Sequence, residues 1–240
     1  MKAKHILLIL VAFVFSFNTK AQTAQQILDK VDQLTSAPQD AKQTIRMTLT
    51  DRNGHEQVRT AIIWQKDKNK RLIKFTSPAA YKGIGFLSLP NDVMYVYMPA
   101  YGKERRIASS VKNQKFAGTD LTYEDLQAKS YKNKYNAKLL SKDADKFVLE
   151  LTPKERSQYS KAILTVNKDY LPVQVEFYNR GNKKAKVLTF NFVKSGNYWY
   201  AKTMTAKDLK TKHSTKMEVL STKFDTGLSD DIFSVRFMKQ

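Results

Sequence analysis

"KAILTVNKDYLPVQVEFYNRGNKKAKVLTFNF", residues 161–192, decides how this chain folds. Apolar and polar residues alternate through it. Ala162, Leu164 and Val166 share one side of the first segment, Val173, Val175 and Phe177 of the second, and Leu188, Phe190 and Phe192 of the third. Lys161, Thr165, Gln174, Glu176, Thr189 and Asn191 fall on the other side. A period of two sends successive side chains to opposite faces of a sheet. The three segments therefore read as strands, apolar on one face and wet on the other. The connections "NKDYLP" and "NRGNK" are short and rich in turn residues, as between antiparallel neighbours.

The same habit runs outward in both directions. "QTIRMTLT" and "HEQVRTAIIWQ" flank Asn53-Gly54, a hairpin signal because both residues tolerate positive φ. "RLIKF", "GFLSL", "VMYVYM", "AKLLS" and "KFVLEL" precede the quoted stretch, and "YWYAKTMTAKD" and "HSTKMEVLSTKF" follow it. The fold class is mainly β, with about eleven antiparallel strands in one domain over 22–240, as a sandwich or a barrel-like sheet. "VMYVYM" is apolar on both faces, as a strand covered on both sides would be. Helix signals are few. In "TAQQILDKVDQL" (23–34), Ile27, Leu28, Val31 and Leu34 recur at helical spacing, and Pro38 ends the pattern. One such helix cannot form a full second layer over a large curved sheet. Either the sheet closes around its own side chains, or it leaves an apolar cavity.

The first 21 residues stand apart. Lys2 and Lys4, an apolar run from Ile6 to Phe17 and a small residue at Ala21 have the three-part layout of a secretory signal peptide. The run is shorter than the ~20 residues a spanning helix needs. Cleavage is expected between Ala21 and Gln22, leaving 219 residues in the periplasm. Formal net charge is +20. Lys2, Lys4 and Lys20 would leave with the signal, so the mature chain carries +17. Such a charge favours polyanionic partners. Export argues against nucleic acid and leaves an anionic membrane surface, phosphorylated glycolipid or acidic proteins. Lysines that merely solubilise strand edges are the alternative. Cysteine is absent, which excludes disulfides and thiolate chemistry.

"KFAGTDLTYEDL" (115–126) interrupts the strands with Asp120, Glu124 and Asp125 close together. Thr122 and Asp125 have the spacing of a capping box, and two acids in a first turn suit the positive end of a helix dipole. Tyr123 and Leu126 would share a face, and Gly118 would let the chain turn before the helix. The rival is metal or acid/base chemistry. His5, His55 and His213 make no metal spacing with these acids, and no nucleophile elbow or glycine-rich phosphate loop occurs. No enzyme activity and no cofactor or metal is expected. The stretch reads as a helix lying as a plug or lid across the sheet, carried by Gly118, Thr119, Asp120, Thr122, Tyr123 and Leu126.

Taken in order, "FTSPAAYKGIGFLS", "YVYMPAYGKERRI" and "FAGTDLTYEDL" resemble the outer-membrane lipoprotein-sorting proteins, the LolA/LolB-like group, and the similarity spans nearly all of the mature chain. The resemblance implies an unclosed antiparallel half-barrel with short lid helices. It also implies an apolar cavity for lipoprotein acyl chains or other membrane lipid, and partner transport proteins of the inner and outer membranes. Cavity-lining candidates are Ile62, Trp64, Phe75, Phe86, Tyr95, Tyr97, Phe147, Leu164, Val175, Phe177, Leu188, Phe190 and Phe192. Each has an ordinary core position as its alternative. Arg105 and Arg106 are candidates for headgroup contact. The same fold serves non-catalytic sensor or structural domains that bind a protein or an anionic glycolipid on their surface, so that reading stays open.

Overall fold

The computed structural model describes residues 23–240, and the expected signal segment lies outside them. Thirteen antiparallel strands form one sheet among the described residues. The first meander holds β1 (Asp40–Thr50), β2 (Glu56–Lys66), β3 (Lys70–Ser77), β4 (Gly85–Leu89), β5 (Val93–Met98) and β6 (Lys103–Arg106). The second holds β7 (Tyr135–Lys142), β8 (Lys146–Pro153), β9 (Tyr159–Asn167), β10 (Pro172–Asn179), β11 (Lys184–Ser195), β12 (Tyr198–Asp208) and β13 (His213–Phe224). β1 pairs with β13, which welds the two meanders at the centre, and β6 and β7 are left as the outer edges. The sheet is therefore an unclosed half-barrel. The count exceeds the expected eleven in part because β6, "KERR", is exposed throughout and carries no apolar alternation to read.

This order has a topological consequence. The chain must travel from the edge strand β6 to the opposite edge strand β7, and residues 107–134 make that crossing. Ile107, Phe116, Leu121, Tyr123 and Leu126 of this segment are buried in the same cluster as the inward faces of both meanders. The crossing carries α2 (Tyr123–Leu126) and α3 (Tyr131–Lys134) over the concave face. The N-terminal helix α1 (Ala24–Thr35) lies there too, held by a Thr23–Gln26 capping box, with Ile27, Leu28 and Val31 fully buried.

Strand parity sorts the apolar residues into two clusters. Ile45, Met47 and Leu49 of β1, Ile73 and Phe75 of β3, and Leu149 and Leu151 of β8 face the concave side. Trp64, Leu72 and Leu87 face the convex side. There they are covered by the C-terminal helix α4 (Val235–Lys239) and by Phe233 before it. This cover explains the two-sided apolarity of "VMYVYM": Met94 and Val96 face one cluster, Tyr95 and Tyr97 the other. The packing is close enough that a Cβ on Gly85 would sit 2.6 Å from Met238 Cγ. Asp40 ties the C-terminal segment down. Its carboxylate accepts from the amides of Thr226, Gly227 and Leu228 at 2.8–3.0 Å. Burial alone would raise its pKa, but these bonds together hold it below the usual carboxylate value.

One expected face fails. Alternation groups Val173 with Val175 and Phe177, but the pairing of β10 with β9 shifts between Pro172 and Gln174. At that irregularity Val173 turns outward and is 38% exposed, and Pro172 is buried in its place. A bulge inserts one residue and reverses the alternation beyond it.

Candidate functional site

The plug is built as the acids of 115–126 suggest. Thr122 Oγ1 accepts from the Asp125 amide at 3.2 Å, and Asp125 Oδ2 accepts from the Thr122 amide at 2.7 Å. The helix is only one turn, with Tyr123 and Leu126 both buried beneath it. Gly118 has φ +76 in the tight loop before it, where Phe116 N donates to Leu121 O at 2.9 Å. Asp120 is fully buried and serves structure. It accepts from Lys115 Nζ at 2.9 Å and Thr215 Oγ1 at 2.9 Å and faces His213 Nδ1 at 2.6 Å. Thr119, also buried, bonds the carbonyl of Phe116. Among the described residues no three His, Cys, Asp or Glu gather as a metal site.

Between this plug and the concave face lies a cavity of about 330 Å³. Ile45, Ile63 and Ile73 wall one side, Leu188, Phe190 and Met217 the other, and Leu126 roofs it. Of the sequence candidates, Phe177, Leu188 and Phe190 line it. Phe75, Phe86, Phe147, Leu164 and Val175 point to the same side of the sheet but are packed as core. Phe75 stacks on Phe116 and Phe86 on Tyr123, so the plug itself fills their end of the half-barrel. Phe192 lines a separate hollow with Trp199 and Tyr200. Ile62, Trp64, Tyr95 and Tyr97 are not brought to the cavity. They sit on the convex face under the C-terminal segment, because they have the opposite parity to Ile63, Met94 and Val96. Arg105 and Arg106 lie exposed on β6, away from this cavity, beside a small hollow that also borders Tyr123. A larger hollow of about 850 Å³ opens at the rim beside α1, but Asp29, Asp32, Asp92 and Lys129 wall it with charge.

Two cations in the cavity wall were not anticipated. Arg71 stands on the concave face of β3, in alternation with Ile73 and Phe75, so the charge in "RLIKF" interrupts an apolar face. Its Nη1 donates to Leu126 O at 3.0 Å, and its Nη2 and Nε donate to Gln65 Oε1 at 2.7 and 3.3 Å. Lys134 Nζ donates to the carbonyls of Glu124 at 3.1 Å and Gln127 at 3.4 Å. The carbonyl end of α2 is thus satisfied by two side chains from outside the helix, as a helix C-terminus requires. Burial pushes the Arg71 guanidinium down to about 10 and the Lys134 ammonium down to about 8. Asp32 of α1 aims Lys134 by accepting from the amides of Tyr131 and Lys132 at 2.8 and 2.9 Å, which fixes α3.

The model of a protein family described as uncharacterized matches residues 67–240. The chain belongs to that family. No curated protein sequence matches it. Among solved structures, this family member is similar to a Vibrio parahaemolyticus domain named for outer membrane lipoprotein sorting. The identity is 29% and the TM-score 0.84, over 90% of this chain and 98% of that one. A DUF1329 family protein from Desulfovibrio piger is 26% identical with a TM-score of 0.81, over 90% and 97%. A LolA superfamily protein from Nitrosomonas europaea shares the fold at 23% identity and a TM-score of 0.76, over 90% and 100%. The resemblance to the lipoprotein-sorting group therefore extends over the whole half-barrel.

Proposed function

We propose that this chain is a periplasmic carrier that holds acyl chains of lipoproteins or other lipids in the half-barrel cavity for transfer towards the outer membrane. The observation that carries the reading is the largely apolar cavity of about 330 Å³ between the concave face and the plug. Likeness to a relative named for lipoprotein sorting supports the class of cargo. The mechanism is burial. Each methylene taken from water gains about 0.8 kcal/mol, so roughly ten of them reach micromolar affinity. Transfer then needs the plug to move, and a one-turn helix on a long crossing segment is the element able to do so. Arg105 and Arg106 on the exposed edge strand offer contact to an anionic membrane surface, and transport proteins of the two membranes would be donor and acceptor. No bond is made or broken, and no cofactor takes part.

Native mass spectrometry of the protein purified from the cell envelope tests the reading. Co-purified lipid, with one or more acyl chains resolved by mass, is the expected result. N-terminal sequencing of the same sample should begin at Gln22; a start at Met1 in a cytoplasmic fraction removes the periplasmic part. If no lipid is found and no fluorescent fatty acid binds, the surface-binding sensor or structural domain replaces the carrier.

A further inference from the structure

The cavity wall holds more positive charge than its carboxylates neutralise. Asp125 is paired with Lys186. Lys129 is paired with Glu155 at 2.9 Å and Asp92 at 3.3 Å. The Glu124 carboxylate accepts from Ser157 Oγ at 2.6 Å. Arg71 and Lys134 bond only a side-chain amide and backbone carbonyls. Both nevertheless border the cavity and keep part of their surface exposed.

The donor count points the same way. A guanidinium has five N–H donors and an ammonium three. Arg71 uses three and Lys134 two, so three charged donors remain. A helix C-terminus carries only about half a negative charge, which does not balance two cations. A charge held largely out of water and short of counter-charge is unfavourable: burial lowers the proton affinity of both groups, and for Lys134 the nearby Asp125 and Glu124 offset this only in part. An anion placed against them would relieve it, and Arg in particular suits a carboxylate or phosphate.

Resting on the carrier reading, we propose that Arg71 and Lys134 form an anion subsite in the cavity wall, which takes the carboxylate or phosphate head of a single-chain amphiphile. The tail lies along Ile73, Leu188 and Phe190. Size sets the chain. At ~30 Å³ for each water-sized group in a liquid, 330 Å³ holds about eleven such groups, the size of one medium chain.

The test is displacement of a fluorescent fatty acid from the mature protein by dodecanoate, dodecyl phosphate, dodecanol and inorganic phosphate. It is run with wild type, Arg71→Gln and Lys134→Gln. Hydrogen bonds to charged groups predict that the two anionic chains bind at least about tenfold more tightly than dodecanol. Each variant should bring that ratio towards one. Should a variant not fold, the ratio in wild type and in the other variant still decides. Equal binding of dodecanol and dodecanoate by wild type overturns the subsite and leaves the carrier intact. Binding of no chain at all overturns the carrier and the subsite with it. Inorganic phosphate binding as tightly as dodecyl phosphate would make the ligand a free anion and overturn the amphiphile.

Discussion

Lys186 of β11 and Asp125 of α2 form an ion pair that joins the sheet to the plug, with side chains only 6% and 5% exposed. The rings of Tyr159 and Phe177 lie about 5 Å from the ammonium, so the cation is enclosed by π-faces as well as by its partner. Removing one member of a buried pair strands the other. Lys186→Met is expected to destabilise the protein by about 3–5 kcal/mol in urea unfolding. Asp125→Asn keeps an acceptor for the Thr122 amide, so the double variant should recover part of that loss. A double variant no better than the single one would mean that the pair is not the connection.

The capping box makes a smaller, separable contribution. Thr122 Oγ1 both accepts from the Asp125 amide and donates to Asp125 Oδ2 at 2.8 Å. Thr122→Ala should therefore cost about 1 kcal/mol. Thermal unfolding with and without a chelator should coincide for wild type. A melting temperature that rises with divalent metal, and loses that rise in Asp120→Ala, would convert these acids from caps into ligands.

The fold was legible because period-two alternation survives in most strands, and the plug because Thr122 and Asp125 state a local geometry. Parity was harder. Ile62 and Ile63 are equally apolar, and only the cover supplied by Phe233 and Met238 explains why both faces of β2 are buried. That cover comes from "DDIFSVRFMK", too short for helical periodicity to declare itself. Val173 needed a bulge that alternation cannot announce. Arg71 did leave a signal, a cation between apolar residues on one face, but its importance depends on Leu126 and Lys134, which reach it only through the long crossing.

Phe190 and Phe177 should respond differently to enlargement. Phe190 is partly buried at the cavity, whereas Phe177 packs on Tyr159 with ring centroids 4.6 Å apart and under Lys186. Overpacking a filled core costs about 1–3 kcal/mol. Phe177→Trp should show that loss in urea unfolding. Phe190→Trp should unfold within about 1 kcal/mol of wild type, yet bind a fluorescent fatty acid more weakly because its ring occupies the cavity. An equally large loss of stability in both would show that Phe190 belongs to closed core.

The last prediction concerns the alkaline range. Lys134 is held down to about 8 by burial, against 10.5 for a lysine free in water, with Arg71, Glu124, Asp125 and Lys129 as its charged neighbours. Below pH 8 both folded and unfolded states hold the proton, and the folded state bears the full penalty of the buried charge. Between about 8 and 10.5 the unfolded chain keeps a proton that the folded one has released. Stability rises with pH wherever the unfolded state binds more protons, so this group stabilises the fold increasingly across that window. Tyr131, Tyr135 and Tyr159 act in the opposite sense. Burial raises all three, so they begin to oppose the rise only near pH 10, where unfolded tyrosine ionises. The clean interval is pH 7.5 to 9.5. Melting temperatures of wild type and Lys134→Gln, measured across it, should diverge with wild type gaining on the variant as pH increases. Other lysines contribute alike to both proteins and cancel in the difference. A difference that stays constant with pH would show that Lys134 keeps an ordinary proton affinity and that its charge is already balanced.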